Sequence, residues 1–317
     1  MASVIETRDL SRDFGAERAL DGLTFDVEEG EVVALLGPNG AGKTTTVRLL
    51  NGVLQPHRGH SSVLGLDPST QGTEVRRRTG VLTEAAGLDD RLTARENLVL
   101  IAGIRELPAA DAGRRADELL ERLDMARLAH RQVQGFSTGQ RKRVALAMAL
   151  LHDPEVLFLD EPTSGLDPAA TRDVLALIAD LAHERQRSVV VCTHFLGDAG
   201  RLCRRMAVLD RGRLQAFGTP EELAAGLWQG LDVDLDLGQP AGDGVLALVS
   251  SLPGVLNAER SPHGCRARVA HRDTVPAVVA ALVAREVAVF GAVPRPATLE
   301  DVYFALQAGA ADGGSAP

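Results

Sequence analysis

The segment GPNGAGKT at residues 37–44 constrains this chain more than any other feature. It fits the pattern G-x-x-x-x-G-K-[ST] and lies between the apolar run EVVALL and a helix expected from about Gly42. Glycines at 37, 40 and 42 let the backbone bend until successive N–H groups face one concavity. The helix N-terminus behind them adds a positive potential that favours phosphate. A glycine-rich turn can match the pattern by chance, but here the strand and the helix that give it physical meaning are both in place. Gly37, Pro38, Asn39, Gly40, Ala41 and Gly42 then form the cradle. Lys43 supplies a point charge for the β and γ phosphates, Thr44 a hydroxyl for Mg²⁺ and Thr45 a hydroxyl near the α phosphate. The expected ligand is a nucleoside triphosphate.

Residues 3–10 and 18–36 read as strands with period-2 stretches, and VLFLD (156–160), SVVVCT (188–193) and RMAVLD (205–210) as short strands buried on both faces. Helical patterns at 138–152, 168–184 and 195–203 lie between or beside them. This alternation predicts an α/β fold with a mostly parallel sheet and helices packed on it. Residues 93–130 hold only amphipathic helical patterns, so a helical insertion is expected over about 93–150.

Near residue 226 the texture changes. LDVDLDL (231–237) alternates strictly, as a half-buried strand does. A helix at 243–251, strands at 254–260 and 264–270, a helix at 273–284 and a strand at 286–290 complete a βαββαβ order resembling a small α+β, ferredoxin-like domain. The expected division is 1–226, 227–307 with a last short helix around 298–307, and a disordered tail at 308–317.

Composition excludes several classes. A net charge of −9 and 3% aromatic residues argue against nucleic acid as a partner. The basic clusters (Arg76 to Arg78, Arg114 and Arg115, Arg141 to Arg143, Arg204 and Arg205) are short, interspersed with acids and read as solvated surface. Cys192, Cys203 and Cys265 form neither a disulfide framework nor a metal pattern, which fits a reducing compartment. HRGH (57–60) reads as a solvated loop. No signal peptide is expected, and the most apolar stretch, 275–293, is broken by Arg285 and Glu286. Direct membrane insertion is therefore not expected, and any membrane role has to come through a partner.

The second chemical feature is VLFLDEP (156–162), which ends an apolar strand on Asp160 and Glu161. Two adjacent carboxylates there are costly unless a cation meets them, and nucleotide-bound Mg²⁺ is that cation. Asp160 then holds the metal through a water and Glu161 polarises the attacking water as general base.

These residues carry a family resemblance. FSTGQRKRVALAMALLHDPEVLFLDEPTSGLD (136–167) resembles the signature, Walker B and D-loop block of ABC-type ATPases, and no guanine-reading N-K-x-D segment is present. The resemblance implies a P-loop NTPase core with an antiparallel β subdomain, which binds ATP. It also implies that Ser137, Thr138, Gly139 and Gln140 oppose the γ phosphate held by a second subunit, and that Ser164 and Asp167 lie in a D-loop at the dimer interface. His194 matches the switch histidine, and Phe14 stands where the family stacks a ring on adenine. Glu84 departs from the pattern, standing where the family has a glutamine; a carboxylate there can still ligate Mg²⁺ and hold the attacking water. Phe136 and Thr138 are milder departures.

Glu84, GLDDRLTARENL (87–98) and LEDVYFALQAG (299–309) are similar to ABC ATPases serving drug, sodium and polysaccharide or lipid exporters with separately encoded permeases. One P-loop and one signature per chain imply a dimer, a homodimer in the simplest case, docked on an integral membrane permease at the inner, cytoplasmic face of the cell membrane. The alternative is a soluble ABC ATPase with a mechanical or regulatory role. Such proteins usually carry two modules or a long coiled coil, neither of which occurs here. For the C-terminal domain, a dimer clamp, a ligand sensor and a stabilising cap all remain open.

Overall fold

Buried apolar runs form the scaffold in the computed structural model, which describes residues 3–83, 85, 87–184, 186–227, 230–295 and 298–312. The chain divides into two compact units, Met1–Gly218 and Thr219–Pro317. The first contains β1 (Ser3–Phe14), β2 (Glu17–Glu28), β3 (Val32–Leu36), α1 (Lys43–Leu50), β4 (Arg58–Val63), α2 (Pro68–Arg78) and β5 (Thr79–Leu82). It continues with α3 (Ala94–Ile104), α4 (Ala109–Arg122), α5 (Thr138–Leu150), β6 (Val156–Asp160), α6 (Pro168–Glu184), β7 (Ser188–Thr193), α7 (Leu196–Leu202), β8 (Arg205–Asp210) and β9 (Arg213–Gly218).

The main sheet has the order β5-β6-β7-β3-β8-β9, parallel except for β8 with β9. Its strands are buried on both faces, which explains why they are apolar without alternation. In β6, Leu157 and Leu159 point into a core shared with α3, α4, α5 and α6, while Val156 and Phe158 point into a second core shared with α1 and the small sheet. In β7, Val189 and Val191 face the first core, Val190 and Cys192 the second. The small sheet, β2-β1-β4, is antiparallel. The helical insertion enters through a capping box in which Thr93 and Glu96 satisfy each other's backbone amides at the start of α3.

The second unit contains α8 (Pro220–Leu227), β10 (Leu231–Asp236), α9 (Asp243–Ser251), β11 (Val255–Ser261), β12 (Gly264–Val269), α10 (Val275–Val283), β13 (Gly291–Arg295) and α11 (Leu299–Asp312). Its antiparallel sheet has the order β11-β12-β10-β13. Val233 and Leu235 enter the core with Val249, Val278 and Leu282 of the helices. The alternating aspartates face away and find partners: Asp232 accepts from Arg268 at 2.8 Å and Asp234 from Arg266 at 2.8 Å.

Several expectations are corrected. The 18–36 region is two strands, parted by a turn with Gly30 at φ 73°. Residues 58–60 are not loop: they open β4, paired to β1. The last strand is 291–295 rather than 286–290. Val287 and Val289 pack on the core ahead of the strand, and Pro294 is tolerated because β13 lies at the sheet edge. The unit boundary precedes α8, which packs against α11, and α11 runs to Asp312, past the expected helix end at 307. Lys142 is not solvated surface but buried.

Candidate active site

The turn between β3 and α1 depends on glycine at two positions. Gly42 is the residue before α1 and adopts φ 105°, where a Cβ would lie 2.7 Å from the Ala19 carbonyl oxygen. Gly37 passes so close to β8 that a Cβ would fall 2.4 Å from the Leu209 carbonyl oxygen. The loop is thereby pressed against β2 and β8, with Ala41 buried beneath and Pro38, Asn39 and Gly40 exposed on the rim. The leading amides of α1 have no intrahelical acceptors and are available to an anion. Lys43 curls back into this loop, its buried Nζ donating to the Gly37 and Pro38 carbonyls at 2.7 and 3.1 Å.

Parallel pairing of β6 beside β7, and of β7 beside β3, delivers the carboxylates to the same end of the sheet. Thr44 Oγ1 donates to Asp160 Oδ2 at 2.8 Å. Glu161 follows with φ 50°, left-handed for a non-glycine residue, and is held there by its amide donating to the Cys192 carbonyl at 2.9 Å. Its carboxylate lies 2.8 Å from His194 Nδ1, accepts from Thr193 Oγ1 at 3.4 Å and lies 3.8 Å from Lys43 Nζ. His194 tilts against Phe195 with ring centroids 4.0 Å apart. Asp160 and Glu161 are both about as buried as Lys43, at 6% exposure each. The Glu161 carboxylate faces the Lys43 ammonium, and a hydroxyl and carboxylate oxygens stand together as hard donors of the kind Mg²⁺ takes alongside phosphate oxygens. The residues fit a magnesium nucleotide.

Lys43, Thr44, Asp160, Glu161 and His194 thus converge. The others stand apart. Ser137 caps α5, its Oγ accepting from the Gln140 amide at 3.3 Å while Gln140 Oε1 accepts from the Ser137 amide at 3.0 Å. Among the described residues none of Ser137, Thr138, Gly139 or Gln140 hydrogen-bonds to the cradle. Asp167 accepts from the Ala169 and Ala170 amides at 2.9 and 3.0 Å, and these amides at the start of α6 hold its carboxyl below the usual carboxylate range. Ser164 donates its amide to the Glu161 carbonyl at 3.3 Å. Thr45 is half-buried on α1. Phe14 stands half-exposed at the end of β1 with the Arg12 guanidinium 4.9 Å from its ring centroid. Glu84 lies outside the described residues.

Two contributors were missed from the sequence. Thr193 precedes the histidine and could have been found as the polar end of an apolar strand. Lys142 donates from Nζ to the Glu161 carbonyl at 2.8 Å and was hidden inside a basic cluster.

A phosphate-cradling turn feeding a helix, with a histidine just past the neighbouring parallel strand and an acid pair at the end of the next, defines an ATP-binding cassette. Comparison with known proteins agrees. Residues 20–164 match the family described as ABC transporter. The chain is 44% identical over 212 residues, 67% of each chain, to the daunorubicin resistance ATP-binding protein DrrA3 of Streptomyces coeruleorubidus. It is 34% identical over 309 residues, 96% of this chain and 93% of the relative, to the Nod factor export ATP-binding protein I of Ralstonia nicotianae. A solved dimeric structure of an ATP-binding cassette in a post-hydrolysis state, bound to ADP and Pi, matches with a TM-score of 0.62 at 26% identity, over 68% of this chain and 98% of that one. The chain belongs to the ABC transporter ATP-binding proteins: it is an ATPase whose hydrolysis is coupled to transport. Among the described residues no helix is long and apolar enough to cross a membrane.

Proposed function

We propose that this chain powers an ABC exporter, two copies closing around two nucleotides beneath a separately encoded membrane permease at the cytoplasmic face. The observation that carries the hydrolytic part is the buried Glu161 carboxylate, seated between His194 Nδ1 and Thr193 Oγ1. Glu161 acts as general base toward water, and His194 orients that water and the γ phosphate. Lys43 leaves its loop carbonyls for the β and γ phosphates. Thr44, with Asp160 through a water and Glu84 from the segment after β5, holds Mg²⁺, which supplies charge neutralisation of the phosphates when bound. Phe14 stacks on adenine. Ser137 to Gln140 and Asp167 serve the nucleotide of the second copy; their separation from the cradle of their own chain supports a site completed by dimerisation.

Export is supported by the relatives, whose names specify daunorubicin resistance and Nod factor export. The permease contact is supported by a groove of about 450 Å³ lined by Val81, Ile101, Ile104, Arg105 and Met148, between the helical insertion and the sheet. In the second unit, the βαββαβ order with β13 and β11 at the two edges supports the ferredoxin-like reading.

The test is steady-state ATP hydrolysis and size-exclusion chromatography of Glu161→Gln. Turnover should fall by roughly two to four orders of magnitude while ATP-stabilised dimers persist. Hydrolysis at the normal rate would remove Glu161 from the role of base.

A further inference from the structure

The cluster QRKR at 140–143 sends its cations in different directions. Arg141 reaches out to Asp90 at 2.6 Å and Arg143 to Asp173 at 3.1 Å, both on the surface. Lys142 turns inward and is 5% exposed, a costly place for an ammonium unless strong acceptors meet it. One acceptor is the Glu161 main-chain carbonyl, 2.8 Å from Nζ.

We propose that Lys142 is a positioning residue for hydrolysis, fixing the Glu161 backbone and tying the signature helix to the catalytic carboxylate of the same chain. The inference rests on the reading of Glu161 as the base. Glu161 sits at φ 50°, so its peptide persists only if surrounding bonds over-determine it. Three contacts among the described residues do so: its amide to the Cys192 carbonyl at 2.9 Å, the Ser164 amide to its carbonyl at 3.3 Å, and the Lys142 ammonium to that same carbonyl at 2.8 Å. The ammonium bond is the shortest of the three, is charge-assisted, and alone comes from a different subdomain.

That origin gives the bond a second consequence. Lys142 lies on α5, whose first turn is locked by the reciprocal Ser137 and Gln140 cap, so the signature loop and Lys142 move as one rigid helix. A shift of α5 when its N-terminus meets the nucleotide of the other copy is therefore felt at the Glu161 carbonyl. The carboxylate swings on that peptide, and its hydrogen bond to His194 follows. The Lys142 side chain links the two half-sites of one chain, a contiguous physical connection rather than mere proximity.

The test uses the full chain with Lys142→Met, which keeps the stem and removes the donor, Lys142→Gln, which offers a neutral donor, and Glu161→Gln. Each variant is measured for kcat, KM and Hill coefficient in ATP hydrolysis, for nucleotide binding and ATP-stabilised dimer, and for its melting temperature. Lys142→Met should lower kcat by about 10- to 100-fold, with KM unchanged within about twofold, dimers retained and the Hill coefficient reduced. Lys142→Gln should recover part of kcat. The proposal is overturned if Lys142→Met keeps normal kcat and cooperativity while Glu161→Gln is slow. It is equally overturned if Lys142→Met loses nucleotide binding and melting temperature together with kcat, the mark of a structural role. Normal hydrolysis by Glu161→Gln removes instead the reading beneath it.

Discussion

Thr44 Oγ1 and Asp160 Oδ2 stand 2.8 Å apart, a hydrogen bond that joins the start of α1 to the end of β6 across 116 residues of chain. The hydroxyl and the carboxylate constrain each other's orientation before any ion arrives, which is how outer-shell partners prepare a metal ligand. Asp160→Asn keeps the shape and removes the charge. The half-saturating Mg²⁺ concentration for ATP hydrolysis should rise by about 10- to 100-fold, with a smaller rise for Thr44→Ala. Titration of turnover with Mg²⁺ at fixed ATP measures both, and unchanged magnesium dependence in Asp160→Asn would exclude it from the metal site.

Gly42 is a test of backbone rather than side-chain chemistry. An alanine there meets the Ala19 carbonyl oxygen at 2.7 Å and Leu20 Cδ2 at 2.5 Å while sitting at φ 105°. The leucine tip can rotate away, but the carbonyl belongs to β2 and cannot. Gly42→Ala should destabilise the first unit by about 1–3 kcal/mol and weaken ATP binding, because the loop has to open away from β2. Urea denaturation and nucleotide titration follow the two effects, and a variant with wild-type values for both would show that the turn tolerates a side chain.

Legibility in the sequence followed how local the cause was. β6 and β7 are readable to the residue because a strand buried on both faces must be apolar throughout, whatever its neighbours are. LDVDLDL is readable because one face meets a core and the other meets Arg266 and Arg268. β4 is not: RGHSSV has no apolar alternation, and its pairing with β1 is a tertiary event. β13 misled because VAVF is apolar while the true strand carries Pro294. At the site, the motif residues could be named from their order, but the contact of Glu161 with His194 and Thr193 depends on β6 and β7 being neighbours. Lys142 shows the limit most clearly, since burial of one cation among several depends on an acceptor at Glu161 that the local pattern does not contain.

Burial also sets the chemistry of the cysteines. The Cys203 thiol is pushed up from 9.0 to about 12 by burial and then by the Glu31 carboxylate, and burial raises Cys192 well above its ordinary value. A raised thiol pKa keeps the proton on to higher pH, so the thiolate fraction of Cys203 near pH 8 should fall by about a thousandfold in the folded chain. Native protein should label slowly at Cys192 and Cys203 and rapidly in urea. The contribution to stability is present below about pH 9, where folded and unfolded thiols are both protonated, and is lost as pH climbs toward about 12. Cys192 is buried and Cys203 half-buried, so rapid native labelling of Cys203 at pH 8 would contradict the raised thiol pKa rather than full enclosure.

The groove beside the helical insertion predicts where the permease is held. Ile104 is 67% exposed and Leu100 49%, both on α3, while Val53 after α1 is 62% exposed. Single exposed apolar residues need no explanation, but Ile104 and the half-buried Ile101 line one groove with Val81 and Met148. Arg76, Arg77 and Arg105 stand along the same groove, so it offers apolar anchors with a basic margin. A neighbouring depression of about 700 Å³ runs from Arg76 and Arg105 to Thr44 and Asp160, so a segment seated here lies within a short path of the nucleotide. Ile104→Glu places a carboxylate where an apolar anchor is needed and should weaken the permease contact by about 1–2 kcal/mol, roughly 5- to 30-fold. The measurement is recovery of the permease with tagged subunit from detergent-solubilised membranes, set against the drug- or substrate-stimulated hydrolysis of the assembled complex. Both should fall together in Ile104→Glu and survive in Ile104→Leu. Full recovery with Ile104→Glu would move the docking site elsewhere on the cassette.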